Sequence, residues 1–396
     1  MRILSWNVNG LYTTLKDAAV RHSSISNYFS NVLNADIICF QEAKVQEEKL
    51  EKWMACVPGY ESFWAFSKDK KGYSGVVTYV KEELSPLDAK ANWLGDFDDP
   101  LLEEFCNEGR IVETDHGSFI LINVYTPNAG DREQGRPRVG FKMSFLKALK
   151  RKCDELIHAG RHIILVGDLN VPHKDQDVHR RWNIREIYSA EELSFMDALF
   201  DEYVDLFRKF HPNDEDVFSV WNQKKEARIH NEGLRIDYAV CDQGFLPHVS
   251  STDIIKMYPK NWSDHAAVLT TLTEQPILPP HPKPAISSSN MQKFMTDARQ
   301  KRLTSLFSPC LSREAKQERP VNADDDEHEH DPSATVIEES VKLDMVNKKR
   351  EGTPSLAESP ASKTQRFDLT STTSRTPPNL QKNQRSLMSY LQRGDG

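Results

Sequence analysis

Between residues 1 and 275, short apolar runs recur, and many of them stop on a hydrogen-bonding side chain. The runs are Arg2–Val8, Ile37–Phe40, Gly75–Val80, Phe119–Tyr125, His162–Val166, Ile236–Cys241 and Ala266–Leu272. Each is too short for a helix and rich in β-branched and aromatic residues, which predicts strands buried on both faces. Helical patterns lie between them. Lys142–His158 carries apolar residues at helical spacing, and Ser189-Ala-Glu-Glu192 has the form of a capping box ahead of Leu193, Met196 and Leu199. The mixture predicts an α/β fold in which two packed sheets are flanked by helices.

The strand ends carry the chemistry. Asn7 and Asn9 stand two apart after the first run, and strand alternation predicts that they point the same way. Asp168 and Asn170 repeat that spacing after His162–Val166, Glu42 follows Ile37–Phe40, Asp237 sits within an apolar run, and Asp264-His265 precedes the last one. A single strand-end acid is most often a turn or cap residue. A set of them in one domain needs another explanation, because buried carboxylates and carboxamides are costly unless paired or bound to a cation. Oxygen donors without a Cys/His cluster suit Mg²⁺ or Mn²⁺ rather than zinc, and Mg²⁺ held by few carboxylates usually serves phosphoryl transfer.

Composition bounds the reading. The net charge of −8 does not advertise a nucleic-acid binder, although an acidic domain can present a local basic face. The 6 cysteines are scattered with no C-x-x-C pair, which fits a reducing compartment. The opening Met-Arg-Ile-Leu-Ser-Trp lacks the long apolar run of a signal peptide or membrane span, so no membrane association is expected. Composition breaks near residue 275. Pro276–Pro284 is proline-rich and is followed by Ser, Thr, Asp and Lys with few aromatics. This predicts a catalytic domain over 1–275, then a stiff linker and disordered tail over 276–396. The acidic run Asp324–Asp331 reads as a solvated stretch.

Seven segments in order resemble the motif set of exonuclease III-type class II AP endonucleases. They are Trp6-Asn7-Val-Asn9-Gly10, Gln41-Glu42, Gly72-Tyr73-Ser74-Gly75, Tyr125-Thr-Pro-Asn128-Ala-Gly130, Gly167-Asp168-Leu-Asn170, Arg235-Ile-Asp237-Tyr238 and Ser263-Asp264-His265. The resemblance covers residues 1 to about 272 and implies a four-layer α/β sandwich with its site at the strand ends between the sheets. It implies that Glu42 is the main ligand of a Mg²⁺, with Asn9, Asp264, Asp168 and Asn170 beside the metal. Asp168 would orient or deprotonate the attacking water, and Asn170 and Asn7 would hydrogen-bond the nucleophile and phosphoryl oxygens. His265, oriented by Asp237, would donate to the phosphate, and Tyr125 and Asn128 would contact it or the departing 3′ oxygen. Damaged double-stranded DNA would be the substrate, met by Tyr73 and by Arg132 and Arg136 of the following loop. Val220 and Leu234 would line the pocket for a base-free sugar. Strong AP endonucleases carry a Phe and a Trp there, so the smaller residues predict 3′-end activities exceeding internal incision.

The tail resembles that of one branch of this family. Gln384, Leu387, Tyr390 and Leu391 have the spacing of a PCNA-interacting box, and Gln300, Leu303, Leu306 and Phe307 repeat it. Such boxes imply the PCNA sliding clamp as partner and a nuclear location, with the mitochondrion as the alternative; a monomer is expected. The zinc-binding module that usually ends this branch has no counterpart within the sequence, and Ala267 stands where the family commonly has Pro.

Overall fold

The computed structural model describes residues 1–94, 101–130, 135–257 and 262–295. The strands are β1 (Arg2–Asn7), β2 (Ile37–Gln41), β3 (Tyr60–Ala65), β4 (Val76–Lys81), β5 (Asp88–Ala91), β6 (Ile111–Asp115), β7 (Ile120–Tyr125), β8 (Ile163–Asp168), β9 (Tyr203–Asp205), β10 (Val220–Trp221), β11 (Gly233–Leu234), β12 (Asp237–Asp242), β13 (Val249–Ile255) and β14 (Ala267–Leu272). One 6-stranded sheet has the order β13-β14-β1-β2-β4-β3, and the other 6-stranded sheet has the order β5-β6-β7-β8-β12-β9. Each contains a parallel pair near its middle, β1 with β2 and β7 with β8, and the other pairings are antiparallel.

Side-chain alternation makes the layers. Ile3, Ile37, Cys39 and Val80 of the first sheet pack against Leu121, Ile164, Val166 and Ala239 of the second. Their neighbours Leu4, Trp6, Ile38 and Phe40 point the other way, onto Leu11, Leu15 and Ala18 of the helix Leu11–Arg21. In the second sheet Ile122, Leu165 and Val240 face the helices Val139–His158 and Ala190–Glu202. Helix, sheet, sheet and helix are thus stacked as the expected four-layer sandwich. The capping box at Ser189 forms as its sequence predicts.

A buried amide pair pins the two sheets beneath the strand ends. Gln41 Nε2 donates to Asn123 Oδ1 at 2.8 Å and to Ser5 Oγ at 3.0 Å, and Asn123 Nδ2 donates to Val77 O at 3.0 Å. A network of this kind sets register, because any slip would strand polar groups at a cost of roughly 1–3 kcal/mol each. At Gly167 the backbone adopts φ +136°, and a Cβ would lie 1.9 Å from Val124 O. Only glycine lets β8 approach β7 this closely just before Asp168.

Residues 276–295 behave differently from the stiff linker that their prolines suggest. His281 Nε2 bonds Ser85 O at 3.0 Å, Lys283 pairs with Glu61 at 2.6 Å, and Ser288 Oγ donates to Ser62 O at 2.9 Å. Met291 and Phe294 then pack onto the helix-side core of the first sheet. The segment is a strap over the edge strand β3, where it supplies partners to a buried acid and a buried serine. The remainder of the expected tail, with both clamp boxes, lies outside the described residues.

Candidate active site

The site is built on two matching turns, one at the end of each central strand. β1 stops at Asn7, whose Oδ1 accepts the Asn9 N–H at 3.1 Å. β8 stops at Asp168, whose Oδ1 accepts the Asn170 N–H at 2.8 Å. Asn9 and Asn170 lie in the left-handed region, with φ 50° and 57°. Strand alternation therefore does not explain why the members of each pair converge: the strand has already ended, and a side-chain-to-backbone turn redirects the second residue. Asparagine tolerates this conformation better than most residues. Glu42 also has a positive φ of 49°, a strain of about 1–3 kcal/mol that its surroundings must hold.

One amide joins the two sheets here. Asn7 Nδ2 donates to Glu42 Oε1 and to Asp168 Oδ2, both at 3.0 Å. On the first-sheet side Asn9 Nδ2 donates to Asp264 Oδ1 at 3.0 Å. Lys44, which the sequence did not single out, bonds Asn9 Oδ1 and pairs with Glu42 Oε2 at 2.9 Å. Burial would raise the Glu42 carboxyl, but the Lys44 charge and the Asn7 bond outweigh it and hold it low. On the second-sheet side burial, then the Asp237 charge, lift Asp168 to about 8. Burial likewise raises Asp264, with the Glu42 charge adding to it.

His265 stands between these groups. Its Nδ1 bonds Asp237 Oδ2 at 2.8 Å, and its backbone N–H donates to Ser263 Oγ, which in turn donates to Asn7 O at 2.6 Å. Burial works against the imidazolium, but the Asp237 carboxylate prevails and raises it to about 10. At neutral pH His265 is a cation whose Nδ1–H is committed to Asp237, leaving Nε2–H as a donor. Among the described residues, Asp237 Oδ1 is buried without a hydrogen-bond partner.

The donor set fits a hard divalent cation. Oxygen atoms of Asp168 and Asp237 and a ring nitrogen of His265 lie within 4.8 Å of one another. That set includes a ring nitrogen, which suits Mg²⁺ less well than an all-oxygen set does. Glu42, Asn9 and Asp264 offer oxygens only, and a cation, the Lys44 ammonium, already sits on Glu42 and Asn9.

The remaining expected residues divide. Asn128 Nδ2 approaches Asn170 Oδ1 at 3.4 Å, and Asn170 Nδ2 donates to Thr126 O at 3.0 Å. The Tyr125 ring lies beneath the buried Arg110 guanidinium, 4.8 Å from its centroid. Tyr73 is half-buried, its hydroxyl accepting from Arg110 at 2.8 Å and Arg138 at 2.7 Å. Both arginines pair with Glu108, and Arg110 was not legible in the sequence because that partner is remote from any motif. Arg136, expected to face DNA, instead pairs with buried Glu192 at 2.6 Å and is 12% exposed. Arg132 lies outside the described residues. Val220 and Leu234 are each 2% exposed and belong to the core. They pair across β10 and β11, and Val220 bridges His265, so they back the site rather than line an open cavity.

A profile described as the Endonuclease/Exonuclease/phosphatase family matches residues 4–265, a span that holds every strand-end residue above. The chain belongs to this family. A human relative, "DNA-(apurinic or apyrimidinic site) endonuclease 2", is 32% identical over 288 residues, 61% of this chain and 54% of that protein. A Bacillus subtilis relative, "Exodeoxyribonuclease", is 32% identical over 257 residues, 64% of this chain and 93% of that protein. Among solved structures, the Xenopus laevis APE2 catalytic domain matches with a TM-score of 0.66 and 28% identity, covering 74% of this chain and 98% of that one. The chain spans a little over half the length of the human relative it matches.

Proposed function

We propose that this chain is a Mg²⁺-dependent DNA-repair nuclease that hydrolyses phosphodiester bonds at abasic sites and at 3′ ends of damaged double-stranded DNA. The observation that carries the reading is the Asn7 amide, shared between a carboxyl held low, Glu42, and one held high, Asp168. One end of the site suits a cation and the other a proton acceptor working near neutral pH. The names of its relatives, an AP endonuclease 2 and an exodeoxyribonuclease, supply the substrate class.

A Mg²⁺ or Mn²⁺ ion held by Glu42, Asn9 and Asp264 would neutralise charge on the phosphoryl oxygens. Asp168 takes the proton of the attacking water, kept in line by Asn7 and by the Asn170 N–H. His265 donates its Nε2–H to a phosphoryl oxygen as charge grows, and Asp237 keeps the imidazolium oriented. Asn170, Asn128 and Tyr125 orient the phosphate and the departing 3′ oxygen. The relative named exodeoxyribonuclease supports an end-directed activity, and a preference for 3′ ends over internal incision is proposed with it. The tail boxes support a nuclear, clamp-bound protein.

The test uses the full chain with Mg²⁺ and labelled duplexes bearing an internal abasic site, a 3′-blocked nick or a recessed mismatched 3′ end. Cleavage of the two 3′ substrates with higher kcat/KM than the abasic one is expected. Faster internal incision would refute the preference. Inactivity on all of them, with hydrolysis of inositol phosphates instead, would refute the nuclease reading. Replacing Tyr390 and Leu391 with Ala should weaken PCNA binding in calorimetry and leave cleavage of short duplexes unchanged.

A further inference from the structure

The chemistry above makes no use of Lys142, yet its placement is costly. The ammonium is completely buried, 0% exposed, and so is its partner Glu192 at 2.8 Å. Burying an ion pair is expensive, and apolar residues of similar volume often stabilise a core at least as well. Lys142 spends its other hydrogen bond on one carbonyl, Asn170 O, at 2.8 Å. Asn170 is the left-handed residue that completes the turn under Asp168.

We propose that Lys142, with Glu192 as counter-ion, is a positioning residue for the Asp168-Leu169-Asn170 turn. The proposal rests on the hydrolase reading above. Asn170 is held at several points: its N–H by Asp168 Oδ1, its side-chain amide by Thr126 O, and its carbonyl by Lys142. The last acts directly on the peptide that follows Asn170. Without it the residue can relax from φ 57° toward the ordinary negative region, and that relaxation withdraws the N–H from Asp168. Glu192 is fixed in turn, because Oε2 accepts from the N–H and hydroxyl of Ser189 at 2.9 and 2.8 Å. Its Oε1 also takes Arg136, so one carboxylate ties Arg136 to the turn. Arg136, which fails as a groove-reading residue, acts here as the link.

The test compares the full-length wild type with Lys142→Met, Lys142→Arg and Glu192→Gln. Cleavage of a recessed 3′ end and of bis(p-nitrophenyl) phosphate is measured in Mg²⁺, with amide hydrogen exchange read at residues 167–171. Lys142→Met should lower kcat about 10–100-fold, as loss of a supporting partner typically does, with KM little changed. Exchange should quicken at the turn and nowhere else in the sheet, and Lys142→Arg should recover part of kcat. A folded Lys142→Met with wild-type kcat and wild-type exchange at the turn overturns the proposal. If Lys142→Met does not fold, Glu192→Gln, which keeps a hydrogen-bonding group in place, carries the same readouts. A wild type inert toward both substrates refutes the hydrolase reading, while the exchange comparison still decides the positioning role.

Discussion

The two strand-end turns share a shape and differ in everything else. The Asn7–Asn9 turn is neutral, opens toward a half-buried Lys44 and Glu42, and has a cation on its oxygens. The Asp168–Asn170 turn carries an acid, is almost dry at 1% and 3% exposure, and has its cation, Lys142, behind the backbone. One backbone device has thus been supplied with opposite electrostatics. A cation in front stabilises a carboxylate and holds Glu42 low; burial and the Asp237 charge outweigh the opposing His265 charge, favour the carboxylic acid and lift Asp168. The turn supplies geometry, and burial with the neighbouring charges decides what each end can do.

Exchanging the two carboxyl chemistries should break that division most severely. Asp168→Asn and Glu42→Ala should each lower kcat by roughly 10²–10⁴-fold in Mg²⁺, the range for losing a group that acts in the transition state. They should differ in stability. Asp168 has a folded-state value of about 8 against an ordinary 3.8, so its contribution is intact below about 4 and is lost as pH rises through 8. Without metal, Asp168→Asn should therefore melt above wild type, with a gap that widens from pH 5 to pH 9. Glu42 is shifted down, so its contribution is present above the ordinary carboxylate range and vanishes in acid. Glu42→Ala should accordingly melt below wild type at neutral pH, and less so in acid. Calorimetric scans across pH decide the matter, and equal pH profiles for the two variants would collapse the distinction between the turns.

An intermediate loss is expected at the shared amide. Asn7→Ala removes the donor to both carboxyl groups. It should destabilise the domain by about 1–3 kcal/mol, the cost of leaving buried acceptors unpaired. Because both ends are disturbed together, Asn7→Ala and Asp168→Asn should not be additive in kcat. A double-mutant cycle that closes to zero coupling would mean that the ends work independently.

The legibility of these regions follows the same physics. Every run read as a strand is one, because β1, β2, β4, β7, β8, β12 and β14 are buried on both faces and their apolar content is continuous. The strands that went unread include β3, β5, β6 and β13. β3 buries Glu61 and Ser62 with partners that include Lys283 and the Ser288 hydroxyl, which reach it from the strap. β6 buries Glu113 against Lys152 at 2.7 Å. Polar residues satisfied by distant partners leave no periodic signal in one sequence. At the site, Asn7, Glu42, Asp168, Asp237, Asp264 and His265 were legible because acids at the ends of apolar runs demand an explanation. Lys44 was not, since a lysine in a polar segment reads as solvated until the fold places Asn9 beside it. Arg136 misled for the mirror-image reason: its partner Glu192 sits 56 residues away.

The smallest effect tests that Lys44 contact. In the metal-free state Nζ stands on Asn9 and Glu42, two of the oxygen donors proposed for the cation. The site then holds one positive charge where it would otherwise hold two, and the ammonium must give up at least part of this contact when the ion enters. The pair is partly exposed, 23% and 18%, so water screens it. It is therefore worth about 0.2–1 kcal/mol, which corresponds to a change in binding constant of less than about 10-fold. Lys44→Met should lower the Mg²⁺ concentration for half-maximal activity by a few-fold, because the competitor is gone. It should also lower the melting temperature measured in chelator, because Glu42 loses its counter-charge, and the two effects should converge at saturating Mg²⁺. A rise in the half-saturating concentration would show that Lys44 assists the bound ion instead of giving way to it. The first turn would then resemble the second, with a lysine supporting the geometry from outside.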